Sequence, residues 1–136
     1  MYASLRAGLV LLLVTLWAVG PSSAQGALTQ QDRQGPVTVA VTLLVPAPGA
    51  PIKAKVVLDT HSVSLDGIAF EQAVVLRPAD GTELAVVSVE QASGSGHHRE
   101  AVLVFPALAE LENVRLVVKN VGGIAERSFS WKLPAR

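Results

Sequence analysis

Three histidines and their neighbouring carboxylates are the residues of this sequence best suited to chemistry. His61 follows Asp59 by two positions, and His97 and His98 are adjacent. Imidazole nitrogens and carboxylate oxygens are ligands that Zn²⁺ and Cu²⁺ accept in proteins. If the two segments meet in the fold, we predict a metal site formed by Asp59, His61, His97 and His98. Zn²⁺ or Cu²⁺ is therefore the one cofactor class that the sequence indicates.

A structural interpretation of the same residues stays open. Asp59 can hydrogen-bond within a turn, His61 can pack at a strand end, and the histidine pair can be solvated. Neighbours on an extended strand point to opposite faces, so His97 and His98 do not easily reach one metal ion together. Asp66 or Glu100 would then supply a further oxygen. Soft ligands are absent, because the chain has no cysteine and its single methionine is Met1.

Catalytic motifs are missing around the remaining candidates. A hydrolytic triad needs serine, histidine and carboxylate in one cleft, and no serine here lies in a nucleophile-elbow pattern. The Gly94–Gly96 segment lacks the Lys-Ser/Thr that follows a phosphate-binding loop. The sequence therefore predicts a non-enzymatic module that binds an unknown protein or small ligand at a loop end. A metal-binding domain is the first alternative and a hydrolase the second.

The N-terminus has the three parts of a secretory signal peptide. A short segment carrying Arg6 precedes an apolar run at residues 7–20, and small residues follow up to Ala24. This pattern predicts cleavage after Ala24. The run has 14 residues, whereas a membrane-spanning helix needs about 20. We therefore expect an exported protein, periplasmic or extracellular, with no membrane span after cleavage.

The charge of the mature chain argues against nucleic acid as a partner. Removal of residues 1–24 takes away one charged residue, Arg6, and leaves 10 basic against 11 acidic residues. Nucleic-acid binding requires a clustered basic surface, and this balance gives no sign of one.

Alternating apolar residues predict short strands throughout the mature chain. Residues 37–43, 52–58 and 125–133 alternate with period two, which is typical of half-buried strands. Asp80-Gly81 predicts a hairpin whose return strand is residues 84–89. Residues 93–96 are predicted to be a flexible loop. Asp66 is a candidate cap for one helical turn.

About seven such strands indicate an all-β fold, an immunoglobulin-like antiparallel sandwich. A small β-barrel or jelly roll is the alternative, because strand number alone does not fix topology. The predicted organisation is a signal peptide at 1–24, a flexible arm at 25–36 and the sandwich at 37–136.

The positions of four basic side chains predict their roles. Lys53 and Lys55 share one strand face and are predicted to protect an edge strand. Arg99 and Arg127 are candidates to pair with a loop-end aspartate, with surface exposure favoured for Arg127.

Three segments carry a resemblance to a set of small exported bacterial proteins. Residues 58–66 read LDTHSVSLD, residues 96–100 read GHHRE, and residues 121–131 read VGGIAERSFSW. They resemble the LDTHS, GGHHR and GG-ER-F-W segments of that set, in the same order, with Ser95 in place of the first glycine of the second segment. The resemblance implies a β-sandwich, export and a common location for the histidine segments, but no activity.

Overall fold

The computed structural model describes residues 28–47 and 49–133. The predicted signal peptide, residues 1–24, lies outside these residues. The described chain forms nine strands and one short helix, with the following bounds: β1 (Thr29–Asp32), β2 (Val37–Leu44), β3 (Ile52–Thr60), α1 (Phe70–Ala73), β4 (Val74–Arg77), β5 (Leu84–Ala85), β6 (Ser88–Ser95), β7 (His98–Phe105), β8 (Val114–Val121) and β9 (Ile124–Trp131).

The strands form two antiparallel sheets packed face to face. The five-stranded sheet has the order β1-β2-β3-β7-β6, and the four-stranded sheet has the order β5-β4-β8-β9. Without β1 and β5, these orders reproduce the A-B-E-D and C-F-G sheets of an immunoglobulin-like sandwich. The predicted sandwich of about seven strands is therefore confirmed, and it carries two additional strands.

Alternation places the core where the sequence predicts it. In β3, Ile52, Ala54, Val56 and Leu58 are almost completely buried between the sheets. The intervening side chains of β3 point away from the four-stranded sheet, and we call this surface of the five-stranded sheet the outer face. The burial of apolar side chains from both sheets supplies the main free energy of folding.

The structure differs from the sequence prediction in three stretches. Of the predicted arm at 25–36, residues 28–36 are described, and Thr29–Asp32 form β1, which pairs with β2. The predicted return strand at 84–89 is divided, because β5 pairs with β4 whereas β6 pairs with β7 in the other sheet. Ser93–Ser95, predicted as loop, are strand residues opposite Glu100 to His98.

Polar contacts between β1 and β9 close one side of the sandwich, and we call them the seam. Arg127 is buried, and its Nη1 donates to Asp32 Oδ1 at 2.9 Å. The Gln30 side chain donates through Nε2 to the Ser130 carbonyl and accepts the Ser130 N–H at Oε1. Trp131 Nε1 donates to the Leu28 carbonyl at 3.0 Å. The expectation of an exposed Arg127 was therefore wrong, because its partner comes from a strand far away in sequence.

No helix within the described residues is long and apolar enough to cross a membrane.

Candidate functional site

The two histidine-bearing segments meet at one end of the sandwich. The Thr60 N–H donates to the His97 carbonyl at 2.9 Å, and the Leu65 N–H donates to the Gly96 carbonyl at 2.8 Å. We call residues 61–68 together with 96–97 the loop end. It joins the end of β3 to the β6–β7 turn, as the sequence resemblance implies.

Asp66 fastens the loop end instead of capping a helix. Its Oδ1 accepts the Gly96 N–H at 2.7 Å, and its Oδ2 accepts the Ser64 hydroxyl. Both hydrogen bonds lower the pKa of Asp66 below its ordinary value, and the bond from Gly96 has the larger effect. The short helix has Ala69 at its N-cap without a side-chain cap bond. The predicted capping role of Asp66 is therefore wrong.

Arg99 holds the loop end from the inner side of β7. Its Nη1 donates to the carbonyl of Leu65 at 2.9 Å and also to that of Ile68. Its guanidinium lies over the Phe70 ring, 5.0 Å from the ring centroid. One charged donor thus serves both carbonyls, and the Leu65 carbonyl also accepts the Ile68 N–H at 3.1 Å. Arg99 therefore organises the loop end, as predicted, although it does so through carbonyls.

His98 lies on the outer face between two carboxylates. Its Nδ1 is 2.5 Å from Asp59 Oδ1, and its Nε2 is 3.6 Å from Glu100 Oε2. Asp59 lies directly opposite His98 in the β3–β7 ladder, whereas Glu100 is two residues along β7 on the same face. The hydrogen bond to Asp59 raises the pKa of His98 above its ordinary value, with a smaller contribution in the same direction from Glu100.

The lysines of β3 extend this charged surface. Lys55 Nζ lies 3.4 Å from Glu100 Oε2, and Lys53 Nζ lies 3.1 Å from Glu90 Oε2. Both lysines belong to the central strand of the five-stranded sheet, so the predicted role in protecting an edge strand is wrong. The aliphatic stem of a lysine can cover apolar surface. Val102, which lies opposite Lys55 and faces outward, is only 9% exposed, so covering Val102 is the role that suits these stems.

The structure brings only part of the predicted metal set into contact. Asp59 and His98 are hydrogen-bonded, whereas no side-chain hydrogen bond or ion pair is found for His61 or His97 within the described residues. Within residues 28–47 and 49–133, no three His, Asp or Glu side chains are grouped to hold a metal ion. The metal set stays a prediction. The proximity of Glu100 to His98 was not predicted from the sequence, although a period of two along β7 puts both side chains on one face.

Serine and histidine do not form a hydrolytic pair in the described part of the chain. Ser95 lies opposite His98 in the β6–β7 ladder, which gives a row of Asp59, His98 and Ser95 across three strands. No hydrogen bond joins a serine hydroxyl to a histidine among these residues. The outer face is also an open surface, whereas a triad works in a cleft.

The opposite end of the sandwich, which we call the far end, carries a pocket. A shallow pocket of about 470 Å³ lies there between the β4–β5 hairpin and residues 108–113. Of the four large hydrophobic side chains that the structure describes as exposed, Leu44, Val45 and Val87 lie toward the far end. Val63, which is 37% exposed, lies at the loop end.

Comparison with protein-family models, curated proteins and solved structures finds no match for this chain.

Proposed function

We propose that this protein is exported, is processed after Ala24, and serves in the periplasm or outside the cell as a non-enzymatic binding module. Its binding surface is the loop end, and its partner is a protein or a small ligand. The observation that supports this proposal most is the number of long-range bonds that fix an exposed loop.

These bonds hold both sides of the loop. Residues 61–64 are exposed, yet Thr60 is bonded to His97, and Asp66 and Arg99 tie the remainder to the β6–β7 turn and to β7. A surface loop without such bonds loses conformational freedom when it binds. A loop that is already fixed on a rigid scaffold avoids most of that cost, which is the usual arrangement of binding loops.

Metal binding is the second candidate function, and the contact between Asp59 and His98 favours it. A carboxylate on Nδ1 leaves Nε2 of the imidazole free for a metal ion. The residues first predicted for this function are Asp59, His61, His97 and His98, and the metal ions are Zn²⁺ and Cu²⁺.

The export step is tested by the mass of the protein after expression with its own N-terminus. We expect a mature chain that begins at Gln25 in the fraction outside the cytoplasm. A chain that keeps residues 1–24 in the cytoplasm would contradict the proposal.

The binding surface is tested with two matched variants, Val63→Asp at the loop end and Val87→Asp at the far end. Both valines are exposed, so neither change disturbs the core. Envelope proteins crosslinked to the wild-type domain are identified and purified, and their affinities for the two variants are then measured. We expect Val63→Asp to abolish binding and Val87→Asp to preserve it. The reverse pattern would place the binding surface at the far end.

A further inference from the structure

We propose that His98 Nε2 and Glu100 Oε2 form a two-ligand seat on the outer face for Zn²⁺ or Cu²⁺, with Asp59 as the residue that positions the imidazole. This inference rests on the metal-binding candidate function. It changes the ligand set, because it makes Glu100 a principal ligand, moves Asp59 from a ligand to a supporting position, and leaves out His61 and His97.

The spacing of the two ligand atoms fits one metal ion. Two atoms that lie about 2.0–2.2 Å from a metal ion and subtend a tetrahedral angle are about 3.3–3.6 Å apart. His98 Nε2 and Glu100 Oε2 are 3.6 Å apart. The two residues alternate on one strand with a single residue between them, so the ladder of β7 fixes their separation. The ion therefore fits with little movement of either side chain.

Asp59 selects the form of His98 that binds metal. The Nδ1–H donates to the Asp59 carboxylate at 2.5 Å, which leaves Nε2 as the nitrogen that carries the free lone pair in the neutral ring. Metal-bound histidines commonly donate their other N–H to a carboxylate, and this contact fixes the ring and increases its basicity. Asp59 reaches His98 from the neighbouring strand, β3, where the two residues are ladder partners.

The seat is open to solvent. The side chains of His98 and Glu100 are 51% and 30% exposed, so water or a group from another molecule can occupy the remaining coordination positions. Two protein ligands give a weak site, which suits a metal ion held jointly with a second molecule.

Lys55 competes with the metal ion for the same oxygen. Its Nζ lies 3.4 Å from Glu100 Oε2, and a bound cation would displace it. Removal of Lys55 should therefore strengthen metal binding. Lys53 provides the matched control, because it carries the same charge on the same face but pairs with Glu90.

The experiment is calorimetric titration of ZnCl₂ and CuCl₂ into the mature chain, purified without a histidine tag at pH 8. We expect His98→Ala, Glu100→Gln and Asp59→Asn each to weaken binding by about 10-fold or more. Glu90→Gln, His61→Ala and His97→Ala should leave the affinity unchanged. Lys55→Gln should bind more tightly than Lys53→Gln. Trp131 fluorescence verifies that each variant is folded.

The second measurement is ¹⁵N NMR of the histidine side chains, because the ¹⁵N chemical shifts report which ring nitrogen binds Zn²⁺. We expect a shift at His98 Nε2 and none at His61 or His97. If metal binding is lost in His61→Ala or His97→Ala but survives in Glu100→Gln, the metal function stands and this seat is refuted. Equal losses in Glu90→Gln and Glu100→Gln would indicate general charge attraction and would also refute it. The absence of saturable binding would overturn both the seat and the metal function.

Discussion

The ion pair between buried Arg127 and partly buried Asp32 leads to the strongest prediction for stability, through the variant Asp32→Asn. The Arg127 side chain has no solvent exposure and the Asp32 side chain has 15%. Arg127 Nη2 also donates to the Val121 carbonyl, and its Nε has no hydrogen-bond partner in the described structure. Asp32 is thus the group that balances the buried charge.

The expected loss follows from what asparagine keeps and what it removes. Asparagine keeps an oxygen that can accept from Arg127 and from the Gln34 N–H, but it removes the counter-charge. Removal of one partner from a buried ion pair costs about 3–5 kcal/mol, and the oxygen that remains places Asp32→Asn at the lower end, at about 3 kcal/mol. Urea denaturation of residues 25–136, followed by Trp131 fluorescence, measures this loss, since Trp131 is the single tryptophan of that range.

Two further variants separate the charge from other roles of Asp32. Asp80→Asn is the matched control, because Asp80 accepts the N–H of the residue two positions on, as Asp32 does, but pairs with no arginine among residues 28–47 and 49–133. We expect it to leave the unfolding midpoint unchanged. The double variant Asp32→Asn with Arg127→Met removes the unpaired charge and should be more stable than Asp32→Asn alone.

The pH dependence of the folding stability provides an independent test of the Asp32–Arg127 pair. Burial raises the pKa of Asp32, but hydrogen bonds from Gln34 and the charge of Arg127 outweigh burial, so the pKa lies below its ordinary value. A lowered pKa contributes stability above the pKa of the unfolded chain, and this contribution is lost as the pH falls through the folded value. The variant should therefore lose less stability on acidification than the wild type. A loss below about 1 kcal/mol, or a double variant no more stable than Asp32→Asn, would refute the reasoning.

Two more predictions concern the loop end and the strand beside it. Arg99→Met should destabilise the domain by about 2–3 kcal/mol, because two carbonyls lose a charged donor. Arg99→Lys should recover only part of this loss in the same urea assay. Full recovery would contradict the role of the planar guanidinium. Gly94→Ala should lower the stability of the domain more than Gly96→Ala does, although both glycines have positive φ. A Cβ at Gly94 would lie 2.2 Å from the His98 carbonyl oxygen, whereas nothing lies within 4 Å of a Cβ at Gly96. Equal unfolding midpoints would show that β6 shifts to accept the methyl group.

The sequence predicted those parts of the fold that follow from local alternation. The faces of β2, β3 and β9 were correct, because a period of two assigns each side chain without knowledge of its neighbours. The strand β1 was missed because Thr29–Asp32 contain no apolar residue. The contacts that hold it are the ladder with β2 and side-chain bonds to β9. The division of residues 84–89 between two sheets was also missed, since a continuous apolar run does not show where a chain crosses from one sheet to the other.

The sequence likewise predicted only part of the candidate site. Asp59 and His98 were selected correctly as neighbours, because the two segments lie at ends of adjacent strands. Glu100 was given only a minor part, since its value depends on the 3.6 Å separation from His98 Nε2. The burial of Arg127 was beyond local reasoning, because its partner lies 95 residues away in sequence.

The seam has a consequence for how the chain reaches its folded state. Its three side-chain contacts join residues near 30 to residues near 130, with separations of 95 to 103 residues. Closing so long a segment has a large entropic cost, and contacts of this kind slow folding. During synthesis, Asp32 emerges long before Arg127 exists, so the seam stays open until the last strand is complete. A chain that is exported in an unfolded form, as the predicted signal peptide implies, would remain competent for translocation over that interval.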